Sequence, residues 1–345
     1  MHLSLPVQSL ALVSGAAVRR RDLIKLIASS AATWPLAAQA QQATPPLIGY
    51  LSSRSPGNSA DIIAAFRRGL SEAGFVDGQN VIIESRFADG EFDRLPALAA
   101  ELIARNVNVF VATGGTVSAV KAKPVVPRTV PMVFAMGGDP VKLGIVTSLN
   151  RPGDNLTGIA FLVNGLAAKQ VELLHQLAPK AAVMGFLVNP KDPNAEGDIN
   201  DAQAAAAALG HKLIIGKAST EGEIDSTFVT FSQQGVAALF VDAEPFLLDQ
   251  RKKIIALAAQ QAMPIVSQFR LFAVDGALAS YGTSLTEANR LLGVYTGSIL
   301  KGTKPADLPV VQSTKFDLVL NLKTAKVLSL SIPDKLFTTA DEVIE

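Results

Sequence analysis

Short apolar runs alternate with amphipathic segments from residue 47 onward, and this alternation restricts the fold more than any other feature of the chain. Leu47-Ile48-Gly49-Tyr50-Leu51 reads as a strand buried on both faces, because a strand with one wet face would alternate apolar and polar residues. A Ser-rich turn follows, and over 60–73 the residues Ile63, Phe66 and Leu70 recur at helical spacing. Gly74 then stands where a helix ending wants a positive φ. Val81-Ile82-Ile83 is the next strand, and 95–104 the next helix, with Asp93 ahead of it as a cap. Two more strands follow at 107–112 and 131–135. Strands and helices in strict alternation predict a parallel, doubly wound sheet.

The rhythm breaks at Asn150-Arg151-Pro152-Gly153-Asp154-Asn155 and then restarts. Helices are predicted near 166–177, up to 209, at 221–233 and at 247–260; strands at 183–188, 212–215, 237–241 and 264–266. Each half closes on a Pro-led apolar strand, Val130-Pro131-Met132-Val133 and Met263-Pro264-Ile265-Val266. Beyond them come a strand at 278–281, a helix at 285–300, a strand at 316–322 and a short helix at 324–328. The expected fold class is therefore α/β, with two doubly wound parallel-sheet lobes. Lobe 1 takes 46–158 plus 284–309, and lobe 2 takes 159–283 plus 310–345. A cleft between such lobes brings a ligand to the strand C-termini of both sheets.

With 345 residues the chain is long enough for two medium cores. It has no cysteine, which excludes disulfides, thiol nucleophiles and cysteine-held metals. Lys and Arg number 31 against 30 Asp and Glu, with no basic run beside aromatics, so no nucleic-acid partner is expected. The first forty residues read as an export signal. Arg19-Arg20-Arg21-Asp22-Leu23-Ile24-Lys25 precedes a short apolar run over 26–36 and then Ala38-Gln39-Ala40, an A-x-A cleavage site. Arg20-Arg21-x-Leu23-Ile24-Lys25 resembles a twin-arginine box, with cleavage expected after Ala40 and a periplasmic product. An uncleaved anchor is the competing reading, although the run is shorter than the roughly 20 apolar residues a span needs.

Ligand groups in parallel sheets sit just past strand C-termini. Those positions hold Ser52, Ser53 and Arg54 after the first strand, Thr113, Gly114 and Gly115 after the third, and Gly138 and Asp139 after the fourth. The second half contributes Asn189, Asp242 and Tyr281. Small hydroxyls and glycines suit a carboxylate, while Asp139 or Asp242 would suit an ammonium, together the equipment for an amino-acid zwitterion. Phe161, Phe246, Phe269 or Tyr281 offers an apolar wall. Each has a structural alternative: the glycines as turn-makers, Asp139 as a cap before Pro140, Arg54 as a solvated charge and the aromatics as core. No catalytic residue, cofactor or metal site is expected. The three histidines, His2, His175 and His211, lack metal-ligand spacing, and no G-x-S-x-G, Walker or G-x-G-x-x-G motif occurs.

Several stretches resemble the TrpX-like ABC-transporter substrate-binding proteins. They are Ile48-Gly49-Tyr50-Leu51-Ser52-Ser53-Arg54-Ser55-Pro56, Ala112-Thr113-Gly114-Gly115-Thr116, Gly137-Gly138-Asp139-Pro140-Val141, 149–158, Val188-Asn189-Pro190, 280–284 and 299–309. The resemblance runs from about Leu47 to the C-terminus. It implies the type I periplasmic-binding fold with a three-crossing hinge, a small organic solute (an amino acid or carboxylate among the candidates), and a permease partner in the inner membrane. It implies Ser52, Ser53, Thr113, Gly114, Gly115, Asp139, Asn189 and Asp242 as ligand contacts. The turn after the first crossing, used by the group, is here Ala160-Phe161-Leu162. Two-lobed binding proteins of this kind act as monomers. The rival classes are an exported ligand-sensing module reporting to a membrane receptor and an exported enzyme on the same fold.

Overall fold

The computed structural model describes residues 44–161, 166–313 and 315–345, so the expected leader and Leu162 of the first crossing lie outside the described residues. Two sheets organise the chain from Pro46 to its end. The first contains β1 (Leu47–Ser52), β2 (Ile82–Phe87), β3 (Val109–Thr113), β4 (Met132–Met136), β5 (Leu156–Ala160) and β11 (Val311–Gln312). Their order is β11-β5-β4-β3-β1-β2, parallel throughout. Every residue of β3, β4 and β5 is buried, which is why these strands are apolar without alternation.

The second sheet has β6 (Val183–Val188), β7 (Lys212–Lys217), β8 (Ala238–Val241), β9 (Ile265–Ser267), β10 (Ala279–Gly282), β12 (Asp317–Asn321) and β13 (Glu342–Ile344). Their order, β13-β12-β10-β9-β8-β6-β7, repeats the winding of the first five strands. The expected two-lobed, doubly wound fold is thus the observed one. The difference lies at one edge, where β12 runs antiparallel to β10 and β13 follows β12. Neither β5 nor β13 was legible as a strand: β5 follows a loop of turn-forming residues, and β13 is three half-buried residues long.

Helices α1 (Ala60–Glu72), α2 (Leu95–Ala104) and α3 (Thr116–Ala122) follow successive strands of the first sheet. On the second sheet lie α4 (Ala167–Leu177), α5 (Ala195–Ala208), α6 (Glu221–Gln233), α7 (Pro245–Asp249), α8 (Arg251–Gln260) and α9 (Arg270–Asp275). The helix predicted over 247–260 is two, α7 and α8, meeting at Gln250. The chain then returns: α10 (Leu285–Leu300) packs on α1, and α11 (Leu322–Val327) and α12 (Asp334–Thr339) complete the second lobe. Among the described residues no helix is long and apolar enough to cross a membrane.

The α1–α10 contact closes to backbone distance. α1 buries Ile62, Ala65, Phe66, Gly69 and Leu70, one helical stripe. A Cβ on Gly69 would lie 1.8 Å from the Arg290 carbonyl oxygen, and one on Gly293 would lie 2.1 Å from that of Phe66. No side chain fits there, so the returning helix is held by the absence of two methyl groups. Gly293→Ala is expected to push the helices apart and to cost about 1–3 kcal/mol. Urea unfolding would register this as a lower midpoint at an unchanged slope.

Candidate functional site

The C-terminal ends of both sheets face a shared cavity. The winding order places the switch points of the two sheets between β1 and β3 and between β6 and β8, where ligands of doubly wound proteins bind. From the first sheet come Ser52, Arg54, Thr113, Gly114, Gly115 and Thr116. From the second come Ala243, Pro245, Leu248 and Phe269, while Phe161, Leu285 and Asn289 line it from the crossing segments. Ser52, Thr113 and Asn289 are buried. The Thr113 hydroxyl donates to Asn289 Oδ1 at 2.9 Å, and Asn289 Nδ2 donates to the Leu285 carbonyl at 2.9 Å. The cavity floor is therefore fixed. Asn289 escaped the sequence reading, although a lone Asn between Ala288 and Leu292 on a buried helix face was a readable sign.

Gly114 and Gly115 are needed at the end of β3. Both have positive φ, +83° and +121°. A Cβ at 114 would come within 2.6 Å of Ser52 Oγ, and one at 115 within 2.4 Å of Pro245. The second of these contacts lets α7, from the opposite lobe, reach the first sheet.

Two polar ties cross between the lobes beside this approach. Arg54, buried after β1, donates from Nε and Nη2 to Asp249 Oδ1 at 2.9 and 2.7 Å. Ser55 donates its backbone N–H and its hydroxyl to Asp249 Oδ2 at 3.1 and 3.3 Å. Arg54 Nη2 also reaches the Asn58 carbonyl at 2.6 Å, leaving Nη1 buried without a partner. Asp249, at the end of α7, was not foreseen, because in sequence it is one of several acids on a helix. The second tie is the Thr116 hydroxyl oxygen, which accepts from Gly138 N at 2.9 Å and from Asn194 Nδ2 of the other lobe at 3.0 Å.

Asp192, Asp198, Asp242 and Glu244, all from the second lobe, are buried behind α7 and the loop after β6. Asn189 Nδ2 donates to Glu244 Oε1 at 3.0 Å, and Glu244 Oε2 caps α7 by accepting from Leu247 N at 2.8 Å. Desolvation raises Asp192 to about 6, and desolvation first, then the neighbouring acids, raise Glu244 to about 8 and Asp242 well above the ordinary carboxylate range. None of the four lines the cavity. Among the described residues no group of three or more His, Asp or Glu side chains is arranged to hold a metal ion.

Of the twelve residues expected at the site, Ser52, Arg54, Thr113, Gly114, Gly115 and Phe161 come together around the cavity. Ser53 lies beneath it, its hydroxyl donating to the Gly114 carbonyl. Gly138 serves the Thr116 tie, and Asn189 and Asp242 belong to the acidic group. Asp139 accepts from Val141 N and Lys142 N at 2.8 and 3.1 Å, the capping alternative. Tyr281 stacks on Phe316, ring centres 5.9 Å apart, over a different cavity.

Two lobes of repeated winding, a cavity between them and polar ties beside it are the architecture of a two-lobed binding protein. A family model described as "ABC transporter substrate binding protein" matches residues 56–344, and the chain belongs to that family, within its TrpX-like group. A relative named "Tyrosine-binding protein" from Clostridioides difficile (strain R20291) is 23% identical over 265 residues, 77% of this chain and 75% of its own length. A conserved domain protein from Vibrio cholerae superposes with a TM-score of 0.79 at 23% identity, over 87% of this chain and 100% of the other. An ABC domain from Streptococcus pneumoniae in complex with L-Trp gives 0.78 at 25% identity, with the same coverage.

The inter-lobe pair should bias the hinge. Asp249→Asn keeps the shape but leaves the Arg54 guanidinium buried without its counter-charge, a cost that opening the cleft relieves. The chain has no cysteine of its own, so cysteines placed at exposed Gln79 and Lys212 label each lobe cleanly for energy transfer. The variant without ligand is expected to show a longer mean separation than the parent. The acidic group sets a pH dependence. Glu244 in the folded chain keeps a proton up to about pH 8, whereas the unfolded chain releases it near the ordinary value of about 4.3. The folded state binds more protons across that window, so stability falls as pH rises through it and levels off above. Glu244→Gln should shrink the gap between melting temperatures measured at pH 5 and pH 8.

Proposed function

We propose that this protein is the solute-binding component of an ABC importer, exported to the periplasm through a leader over 1–40 and acting there as a monomer. It binds a small polar organic solute in the inter-lobe cavity, closes on it, and presents the closed form to a permease in the inner membrane. It catalyses no reaction and needs no cofactor. Family membership supports the transport role, and one observation supports the cleft as the site: Arg54 of one lobe and Asp249 of the other meet beside the cavity. A closing device must make contacts in the closed state that it lacks in the open one, because only differential contacts shift a two-state equilibrium. A buried inter-lobe pair is such a contact.

Closure would follow from ligand oxygen filling the floor. Ser52 and Thr113 offer hydroxyls there, and Phe161, Leu248 and Phe269 offer an apolar wall from three different segments. The hydroxyls come from one lobe and Leu248 and Phe269 from the other, so an occupant touching all of them would stabilise only the closed arrangement. The relatives named for tyrosine and solved with L-Trp make aromatic solutes the first class to try.

A thermal-shift series on the mature chain, unfolded and refolded to strip carried-over solute, tests this reading. The panel holds amino acids, small carboxylates, aromatic acids, nucleosides and sugars. At a hundredfold excess over its dissociation constant, a ligand adds about 2.7 kcal/mol, a rise of several degrees. The same solute should shorten the Gln79–Lys212 separation in the labelled protein. A panel that leaves both readouts unmoved would count against solute binding in the cleft.

A further inference from the structure

We infer that the solute bound here carries an acidic or neutral oxygen head on an apolar body and has no ammonium group. The inference rests on the inter-lobe cavity being the binding site and narrows what it accepts. An amino-acid zwitterion needs an acceptor for each end, and a buried ammonium without a counter-charge costs several kcal/mol. Among the described residues, Arg54 is the single ionisable side chain lining the cavity. The residues 162–165, Leu-Val-Asn-Gly, add no acid by sequence.

The acids that could answer an ammonium are engaged elsewhere. Asp139 caps its own turn, and Asp242 and Glu244 are buried in the second lobe, outside the lining. Asp249 is filled by Arg54 and Ser55. A neighbouring cavity shares Ile62, Phe269 and Leu285 and includes Asp61 and Asp317. Asp317 has its Oδ1 buried but its charge answered by Lys315 at 2.9 Å, and Asp61 is an exposed residue in the first turn of α1; neither lines the cavity that contains Arg54.

The cavity is instead built for electron-rich oxygen. Arg54 is 3% exposed, and its Nη1 is the guanidinium nitrogen left without an acceptor. Because Asp249 already balances its charge, Nη1 serves as a charge-assisted donor that a carboxylate, or a less basic carbonyl, satisfies. Ile62 in the first turn of α1, and Leu285 and Asn289 in the first two turns of α10, also line the space. Both helices therefore turn their positive ends toward it, which favours an anion and opposes an ammonium. The remaining wall, Ile62, Phe161, Pro245, Leu248 and Phe269, is apolar. Ring-bearing or branched monocarboxylates fit this chemistry.

Matched pairs that differ only in the α-amino group test the inference by calorimetry. Suitable pairs are tryptophan with 3-(indol-3-yl)propanoate, tyrosine with 3-(4-hydroxyphenyl)propanoate, phenylalanine with 3-phenylpropanoate and leucine with 4-methylpentanoate. At least one des-amino acid is expected to bind tenfold or more tightly than its partner, about 1.4 kcal/mol. Arg54→Lys keeps a cation facing Asp249 but lacks the third guanidinium nitrogen, and should lower that acid's affinity at least tenfold. An amino acid that binds as tightly as its des-amino partner overturns the inference, as does a bound acid indifferent to Arg54→Lys. Failure of every pair overturns it too. The wider thermal-shift panel then separates the cases: a sugar or nucleoside that still raises the melting temperature leaves the binding function standing, and a flat panel removes both.

Discussion

Arg54 and Asp249 place a guanidinium and a carboxylate out of water between two lobes that contribute one charge each. Neither charge tolerates that position alone, and the attraction between them offsets the desolvation only while the geometry is kept. Much of the surrounding construction maintains that geometry. Asp249 ends a five-residue helix that starts at Pro245 and is capped by Glu244, and Glu244 is itself held by Asn189. On the other side, Ser59 donates to the Ser55 carbonyl and Arg54 reaches the Asn58 carbonyl, which folds the loop after β1 back on itself. Glycine at 115 allows α7 to come close enough for the pair to meet.

The buried acids form the counterpart to that pair. Burial makes these carboxylates hold their protons more tightly, raising Asp192 to about 6 and Glu244 to about 8, the latter helped by the neighbouring Asp192. Their work is structural: they satisfy the N–H groups of α7 and of the loop after β6 and lie outside the lining of the cavity. A lobe that presents acid to its own loops and apolar surface to the cleft separates folding chemistry from ligand chemistry.

The sequence carried the architecture because parallel strands buried on both faces leave continuous apolar runs, as at 48–51 and 109–113, and because amphipathic stripes survive tertiary context, as Phe66 and Leu70 do. The buried residue beside them is Ile62 and not the expected Ile63. Rules of that kind place residues at strand ends, so Ser52, Arg54, Thr113 and Gly114 were legible as cavity residues. They do not give rotation about a side chain or the approach of a distant segment. Asp139 therefore looked like an ammonium partner when its carboxylate turns back onto Val141 and Lys142. Asp249 and Asn289 lie 195 and 176 positions from Arg54 and Thr113, and periodicity carries no information across such spans. β13 was hidden because three half-buried residues satisfy no periodic template, and the strand predicted at 316–322 bears no mark of its antiparallel pairing with β10.

The return of α10 to α1 bears on how the chain is made. The first lobe lacks its glycine-lined helix contact until residue 300 is present, and its edge strand β11 arrives at 311–312. The second lobe waits even longer, since β12 and β13 lie at 317–321 and 342–344. The first half therefore waits unfinished while strands β6 to β10 of the second are made. The first lobe closes on contacts between 60–72 and 285–300, made across the whole intervening lobe, so folding strictly one domain after the other is not open to this chain.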